Sequence, residues 1–367
     1  MIKIKTVKIY PISQTLKTPF KTNIGYVVDR DSLLVEVIDH DGVSGWGEVV
    51  AFSTPWYTEE TIKTCYHILT DLLIPLLLGK QLTHPNEVTQ LLQPIRRNHM
   101  AKASIEGAIW DLYAKKQELS LSEALGGTKK TIDCGVVVGM SSVKEMLNSI
   151  RKHVAEGYKR VKIKISPEKD IEIVREIRRH FPTLPLMADA NSSYTLKDID
   201  RLKELDQYHL MMIEQPLGED DIIDHAKLQD QMKTKICLDE SIVSYTDAKK
   251  AIELGSCKII NIKPGRVGGL TVSKQIYDLC SQHGIDVWCG GMLETGISRA
   301  HNIALASLDN FTIPGDISSS SRYWEEDIVF PEIKVINGSI DIPNEVGLGF
   351  EVKRDFLERY KNKEIIN

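Results

Sequence analysis

Ionisable residues recur at nearly constant spacing through the middle of this chain. Lys164, Asp189, Glu214, Asp239 and Lys263 are separated by 25, 25, 25 and 24 residues, and each ends a short apolar run. One strand, one loop and one helix take about this length, so the spacing predicts repeated βα units. The five side chains would then lie at the carboxyl ends of consecutive strands, where barrel enzymes place their chemistry.

Strand-like runs alternate with amphipathic segments from about residue 131 onwards. The candidates are CGVVVG, RVKIKI, LPLMADAN, HLMMIEQP, KICLDES, CKIINIKPG, IDVWCGG and FTIPGD. Eight strands over so short a tract favour an α/β fold of the (β/α)8 type with short connections. An open doubly wound sheet is the competing interpretation, but no GxGxxG loop follows the first strand.

The regions on either side of this tract do not show the alternating strand and helix pattern. Residues 1–12 and 32–38 alternate like strands, and residues 103–116 predict an amphipathic helix. Strands followed by helices indicate an α+β unit. The predicted division is a capping domain over residues 1–125, a barrel over 126–325 and a C-terminal segment over 326–367 that returns to the capping domain.

Composition narrows the class of function. The net charge is −5 with a pI near 6.1, and the sequence has no stripe of basic residues. This pattern argues against a protein that binds nucleic acid or a membrane surface. The longest apolar run, at residues 72–78, is too short to span a bilayer, and the start lacks a signal peptide's apolar core. The six cysteines form no CxxC pair, which indicates buried thiols in a reducing compartment. We expect a cytoplasmic protein that acts on a small molecule.

Three of the strand-end residues are acids that barrel closure brings onto one rim. A single Asp or Glu after a strand is usually a helix N-cap, and Asp189 and Asp239 each allow that interpretation. Glu214 does not, because Gln215 and Pro216 follow it. Three carboxylates at one mouth repel one another unless a cation compensates. Oxygen ligands without His or Cys indicate a hard ion, Mg²⁺ first with Mn²⁺ as a substitute.

Lysines flank these acids in strand order. Lys162 and Lys164 alternate with apolar residues in VKIKI, so both face the same side of one strand. On a half-exposed strand that face would be solvated, whereas inside a barrel two lysines need a function. A neighbouring cation disfavours a charged lysine and lowers its pKa, which suits a general base. We expect acid–base roles for Lys164 and Lys263, with Lys162 tuning Lys164.

Mg²⁺ beside a lysine fits removal of the proton α to a substrate carboxylate. The motifs then resemble a known family, the muconate-lactonizing-enzyme subgroup of the enolase superfamily. The stretches that carry this resemblance are KIK (162–164), MADAN (187–191), IEQP (213–216), LDES (238–241) and NIKPGRVGG (261–269). The resemblance implies a (β/α)7β TIM-like barrel with an α+β capping domain. It also implies Mg²⁺ ligation by Asp189, Glu214 and Asp239, and an acid–base pair of Lys164 and Lys263.

Three further stretches narrow the resemblance. GWGEVVAFSTPWYTEET (45–61), GGMLETGISRA (290–300) and IPGDISSSSRYW (313–324) are similar to o-succinylbenzoate synthases, which overlap with N-succinyl- and N-acylamino-acid racemases. For a synthase the resemblance implies syn dehydration of a succinyl-hydroxycyclohexadiene carboxylate in menaquinone biosynthesis. For a racemase it implies proton exchange by the same two lysines from opposite faces. The motifs leave this choice open, and a non-catalytic metal-binding barrel is a third hypothesis.

Further residues are candidates for supporting or substrate-binding roles. Asn191, in phase with Asp189, is expected to support the ligands or contact substrate, and Glu240 is either a supporting acid or an exposed cap. The segment 16–28 is expected to be a lid loop. From it, Phe20 and Tyr26 would contact an apolar part of the substrate or simply pack.

A glycine pair at a strand end is another binding candidate. Gly290 and Gly291 allow close backbone approach and are expected to present N–H groups to a distal carboxylate. Met292 follows them and is a further substrate-binding candidate. Barrel enzymes of this size often associate, so a homo-oligomer is compatible with the chain.

Overall fold

The computed structural model describes residues 1–22 and 25–366. Its amino-terminal region is an antiparallel sheet of order β3-β2-β1-β4 packed on helices. These elements are β1 (Ile2–Thr22), β2 (Gly25–Asp39), β3 (Ser44–Val49), α1 (Ile62–Ile68), a π-helical turn (Leu69–Leu73), α2 (Ile74–Leu77), β4 (Gln81–Leu82), α3 (Asn86–Leu91), α4 (His99–Lys116) and α5 (Leu121–Leu125). The strands are longer than predicted, since β1 and β2 continue through most of the expected lid.

Helix α4 is the central helix of this region. Thirteen of its eighteen residues are buried, including Ser104, Glu106 and Asp111. The prediction of an amphipathic helix is therefore wrong, because α4 is enclosed by the sheet on one side and by barrel helices on the other. Its buried polar groups have partners: Asp111, for example, accepts hydrogen bonds from the backbone N–H groups of Trp46 and Leu348.

The predicted βα repeats form a parallel sheet of seven strands in sequential order. The elements are β5 (Thr131–Asp133), β6 (Gly135–Val138), α6 (Val143–Ala155), β7 (Arg160–Lys164), α7 (Asp170–His180), β8 (Leu186–Asp189), α8 (Ile199–Glu204), β9 (Ile213–Glu214), α9 (Ile223–Gln231), β10 (Ile236–Leu238), α10 (Tyr245–Leu254), β11 (Ile259–Ile262), α11 (Pro264–Val267), α12 (Leu270–Gln282), β12 (Asp286–Cys289) and α13 (Gly296–Ala306). The seven-stranded sheet runs from β6 to β12, while β5 pairs outside it. Short 3₁₀ turns flank α8 at Leu196–Asp198 and Leu205–Tyr208.

A short segment joins the two edges of this sheet. Gly315 forms a parallel bridge with Cys134 and accepts a 2.7 Å hydrogen bond from the Gly135 N–H, while the Asp316 N–H donates to the Cys289 carbonyl at 3.1 Å. Residues 311–316, all of them described, form no regular strand. The fold is thus the (β/α)7β arrangement, with the eighth strand reduced to this closing segment.

The remaining residues form short pieces on the outside. They are a 3₁₀ turn (Ser320–Arg322), β13 (Val329–Phe330), β14 (Ser339–Asp341), β15 (Glu351–Val352), α14 (Arg354–Arg359) and a final 3₁₀ turn (Lys363–Ile366). Strand β14 pairs with β5 at the edge of the barrel. The stretch around α14 contacts the amino-terminal sheet, where Arg354 binds the buried Glu36 and the Ser13 N–H donates to the Tyr360 carbonyl.

Two buried glutamates attach the amino-terminal region to barrel helices. Glu106 of α4 accepts hydrogen bonds from the N–H groups of Leu270 (2.8 Å) and Thr271 (2.9 Å) at the start of α12. Glu48 of β3 accepts from the N–H of Thr295 at the start of α13. Carboxylates satisfy the free N–H groups of a helix start and complement its dipole. The amino-terminal region and the barrel, the two layers of the fold, are therefore joined at the helices that follow β11 and β12.

The state of the cysteines agrees with the prediction from the sequence. All six cysteines are buried and free, as predicted. Within residues 1–22 and 25–366, no helix combines the length and apolar character needed to cross a membrane.

Candidate active site

Strand register brings the spaced ionisable residues together. Lys164 of β7 lies beside Asp189 of β8, and Asp189 lies beside Glu214 of β9. Asp239 and Lys263 directly follow β10 and β11, the next two strands in the sheet. The 25-residue spacing therefore places all five at one end of the barrel.

The side chains directly below the three acids on their own strands are uncharged. Strand alternation places Met187 below Asp189, Met212 below Glu214 and Cys237 below Asp239. These three pack with Ile259 and Trp288 in one fully buried cluster. The carboxylates thus lie above buried apolar side chains and two buried cations, Lys162 and Arg160, in an interior where charges interact more strongly than in water.

Lys164 lies at the open side of the group, with 29% of its side chain exposed. Its Nζ donates to Asp189 Oδ2 at 2.7 Å and also to Asn191 Oδ1. Asn191 in turn donates through Nδ2 to Glu240 Oε1 at 3.1 Å. Asn191 therefore connects Lys164 to Glu240 by hydrogen bonds, and both residues belong to the site.

Lys162 lies deeper and is 5% exposed. Its Nζ is 3.1 Å from Glu214 Oε2, 3.5 Å from Asp189 Oδ2 and 2.5 Å from Asp316 Oδ2. Burial alone disfavours its charge, but these carboxylates prevail and raise the pKa of Lys162 well above its usual value. Lys162 is a fixed cation inside the barrel.

Lys263 lies on the opposite flank and is 8% exposed. Its Nζ donates to Asp239 Oδ2 at 2.9 Å and to the Tyr57 hydroxyl at 2.8 Å. Arg266, one turn later on α11, donates to the other oxygen of Asp239 and at 3.0 Å to the Tyr57 hydroxyl. Tyr57 comes from the amino-terminal region, so both layers of the fold contribute to this side of the site.

The pKa shifts show how the charges are balanced. Burial and the charge of Asp189 raise the pKa of Glu214 to about 8. Burial also raises the pKa of Asp189 and Asp239, but the lysine and arginine contacts reverse this effect and lower both below the usual value. Burial favours neutral Lys263, yet Asp239 raises its pKa above the ordinary range. The predicted lowering counted neighbouring cations, including a divalent ion, and omitted the carboxylate that Lys263 contacts. The lowering beside a bound divalent ion stays a prediction.

The donor set fits a hard divalent ion. Asp189, Glu214 and Asp239 are at most 2% exposed and offer only carboxylate oxygens. Burial and the charge of Asp189 raise the pKa of Glu214, so a further positive charge beside it would stabilise its ionised form. In the described part of the chain no three Asp, Glu, His or Cys side chains enclose an ion as they stand. Lys162 and Lys164 instead contact the carboxylates that would have to turn toward a metal.

The glycine pair makes room for its neighbours. A Cβ on Gly290 would lie 2.6 Å from Lys263 Cε and 2.3 Å from Asn261 Oδ1, and one on Gly291 would lie 2.3 Å from the Asp316 carbonyl oxygen. The Gly290 N–H is already bonded to the Ile262 carbonyl, so it is not free to bind a substrate carboxylate. The prediction of a free donor is wrong for Gly290 because that N–H extends the β11–β12 pairing.

Aromatic and apolar residues from both layers form a cluster next to Lys263. Phe20 and Met292 pack there with Tyr57, Leu293 and other residues. Tyr26 does not join them: it is 67% exposed, and strand alternation places it on the face opposite its neighbour Val27, which packs in the cluster. The expected lid loop is instead the far end of the β1–β2 hairpin, and its residues 23 and 24 lie outside the described residues.

Four residues that contact Lys162, Lys263 or the three carboxylates were not among the predicted site residues. They are Tyr57, Asn261, Arg266 and Asp316. Arg266 and Asp316 carried a usable signal, since Arg266 follows Lys263 by one helical turn and Asp316 ends the eighth strand candidate. Asn261, which donates to Glu214 Oε1 at 2.8 Å, is in phase with Lys263 on β11. Tyr57 had no local signal, because it lies 182 residues from Asp239 in the chain.

Comparison with known families agrees with this geometry. Residues 145–356 match the enolase C-terminal domain-like family, and residues 4–126 match the N-terminal domain of mandelate racemase and muconate lactonizing enzyme. The chain belongs to the enolase superfamily, in its mandelate racemase and muconate lactonizing enzyme group. Enzymes of this superfamily generally use Mg²⁺.

Individual relatives span the whole chain. It is 60% identical over 363 residues to the o-succinylbenzoate synthase of Bacillus subtilis (strain 168), covering 99% of this chain and 98% of that protein. It is 42% identical to the N-succinylamino acid racemase of Thermus thermophilus, covering 98% and 97%. The crystal structure of an enolase superfamily member from Listeria innocua matches with a TM-score of 0.97 and 44% identity, covering 99% and 98%.

Proposed function

We propose that this protein is an o-succinylbenzoate synthase. It would convert 2-succinyl-6-hydroxy-2,4-cyclohexadiene-1-carboxylate to 2-succinylbenzoate by syn dehydration, a step of menaquinone biosynthesis. The observation that carries the proposal is the placement of Lys164 and Lys263 on opposite flanks of three buried carboxylates, which suits removal of a proton α to a carboxylate. The full-length identity of 60% to a synthase supports this chemistry over others in the superfamily.

Asp189, Glu214 and Asp239 would hold Mg²⁺. When bound, the ion would neutralise charge on the substrate carboxylate and so acidify its α-proton.

Lys164 would remove the α-proton. Its partial exposure and its position at the open side leave it accessible to a substrate. In a syn elimination the same ammonium then returns the proton to the departing hydroxyl, so the C–H and C–O bonds break on one face and water leaves. One amine thus serves first as base and then as acid.

Lys263 would remain protonated and stabilise the enediolate by its charge. Contacts with Asp239 and Tyr57 use two of its three N–H groups, which leaves one for the substrate. The raised pKa of Lys263 supports this cationic role.

The synthase proposal is tested by turnover of the purified protein with Mg²⁺. Aromatic product should form, and both Lys164→Ala and Lys263→Ala should lose at least a thousandfold in kcat while still binding Mg²⁺. Lys159→Ala, on an exposed lysine at the start of the same strand region, is the matched control and should retain full turnover. Turnover by Lys164→Ala at the wild-type rate would contradict the assignment, and Mg²⁺ binding without any turnover would favour a non-catalytic metal-binding barrel.

Racemisation of N-succinyl or N-acylamino acids is the second candidate. The two amines on opposite flanks and the 42% identity to an N-succinylamino acid racemase favour it as an additional activity. Pure enantiomers of an N-succinylamino acid should racemise with Mg²⁺, and loss of either lysine should stop the interconversion. Racemisation with no dehydration would reverse the order of the two candidates.

The remaining features of the proposal concern the setting of the enzyme. We infer that Mn²⁺ substitutes for Mg²⁺, that the substrate is a small carboxylate rather than nucleic acid or membrane, and that the protein works in the cytoplasm. Six free buried thiols support a reducing compartment. The division into residues 1–125, 126–325 and 326–367 and a homo-oligomeric state belong to the same proposal.

A further inference from the structure

Asp316 lies where the barrel closes and contacts two buried cations. Its Oδ1 accepts from Arg160 Nη2 at 2.6 Å and its Oδ2 from Lys162 Nζ at 2.5 Å. Its backbone N–H is bonded to the Cys289 carbonyl, so the closing segment fixes its position. Nothing in the catalytic proposal uses this carboxylate, although it lies one side chain away from the acid cluster.

Lys162 connects Asp316 to that cluster. Its ammonium has three N–H groups, and three carboxylates lie around it: Asp316 at 2.5 Å, Glu214 at 3.1 Å and Asp189 at 3.5 Å. The shortest contact is the one to Asp316. The Lys162 ammonium is therefore shared, with its shortest contact to the closing segment and a hydrogen bond to Glu214.

Arg160 cannot replace Lys162 as the partner of the cluster. Its Nε donates to the Pro314 carbonyl at 2.9 Å, its Nη1 contacts Met187 Sδ, and its guanidinium packs on the Trp288 ring. These contacts fix Arg160 one layer deeper in the barrel. Asp316 thus contacts two cations: Arg160, which its other contacts hold in place, and Lys162, which also contacts Glu214 and Asp189.

We propose that Asp316 is a positioning residue for the metal site: it draws the Lys162 ammonium away from Glu214 and Asp189 and leaves their oxygens available to a divalent cation. The inference rests on the proposed metal-binding role of these two acids. Without Asp316, Lys162 would have only those acids as charged acceptors and would compete directly with the metal. That competition would weaken cation binding in a poorly screened interior.

Calorimetric titration of the metal-free, full-length protein with Mg²⁺ tests the inference without reference to turnover. Asp316→Asn should bind Mg²⁺ at least tenfold more weakly than the wild type. If Asp316 acts through Lys162, the same substitution in a Lys162→Met background should change the affinity threefold or less.

Asp327→Asn is the matched control. Asp327 is a buried acid that accepts hydrogen bonds from the Gly296 N–H and the Ser320 hydroxyl and lies close to Arg299; within residues 1–22 and 25–366 it makes no hydrogen bond or ion pair with Asp189, Glu214 or Asp239. It should lower the melting temperature, as Asp316→Asn should, while leaving Mg²⁺ affinity unchanged. An equal loss of affinity in both variants would assign a merely structural role to Asp316 and overturn the inference.

The outcomes separate this inference from the proposed function. Wild-type affinity in a folded Asp316→Asn protein overturns the role of Asp316 and leaves the metal site standing. An undiminished tenfold loss in the Lys162→Met background overturns the coupling through Lys162. Absence of Mg²⁺ binding by the wild-type protein would overturn both the inference and the metal role on which it rests.

Discussion

Gly290→Ala is expected to reduce turnover about a hundredfold through the position of Lys263. An added methyl would lie 2.6 Å from Lys263 Cε, whereas carbon atoms in contact prefer about 3.5–4.0 Å. It would also lie 2.3 Å from Oδ1 of Asn261, the amide that donates to Glu214. The lysine stem must therefore shift by about 1 Å, and a displacement of that size costs roughly 10²-fold in rate. The contacts of Nζ with Tyr57 at 2.8 Å and Asp239 at 2.9 Å cannot both survive such a shift. Overpacking would also cost about 1–3 kcal/mol of stability.

The assay is kcat per folded enzyme together with the melting temperature. Gly139→Ala is the matched control, because it lies just past the first barrel strand, has no left-handed backbone, and its added methyl meets no heavy atom within 4 Å. It should retain wild-type turnover. A folded Gly290→Ala enzyme with kcat within threefold of the wild type would refute the reasoning, since Lys263 would then tolerate displacement or play no part in the reaction.

Three other perturbations have defined outcomes. Burial lowers the pKa of His301 from 6.5 to about 4. As the pH falls, the unfolded chain therefore binds a proton at this histidine before the folded protein does. The resulting stability is fully present above pH 6.5 and is lost as the pH falls toward 4, by about 3 kcal/mol in total. Urea unfolding at pH 7.5 and 5 should show a smaller pH-dependent loss in His301→Gln, and an equal loss would contradict this. Glu106→Gln should lower the free energy of unfolding by about 1–3 kcal/mol, because an amide cannot accept all the bonds from the start of α12, and an unchanged value would refute the anchoring role. EDTA should abolish turnover, and added Mg²⁺ should restore it and raise the melting temperature, whereas turnover in excess EDTA would exclude a metal requirement.

The core of the site was predictable because it follows from a local rule applied five times. Each parallel strand ends at the same edge of the sheet, so residues at equal spacing meet there whatever the helices between them contain. Lys164, Asp189 and Glu214 are direct neighbours in register, as that rule requires. The repeats predicted a barrel of the (β/α)8 type, whereas the (β/α)7β closure was implied only by the family resemblance.

The electrostatics of the site were less predictable. The pKa of Lys263 depends on Asp239, and the Lys162 charge is shared with Asp316, contacts that only the closed barrel creates. The predicted amphipathic character of α4 is wrong for a related reason. A helix enclosed by two layers has no solvent face, and its buried polar groups bond to distant backbone rather than to water.

The Tyr57 hydroxyl has a consequence for protein engineering. The barrel alone would lack the phenol that bonds both Lys263 and Arg266, because that phenol belongs to the other layer. A chimera that combines the barrel of one superfamily member with the amino-terminal region of another would therefore need a matching hydroxyl at this position. Directed evolution of the amino-terminal region alone can likewise alter the contacts of Lys263, 206 residues away in the chain.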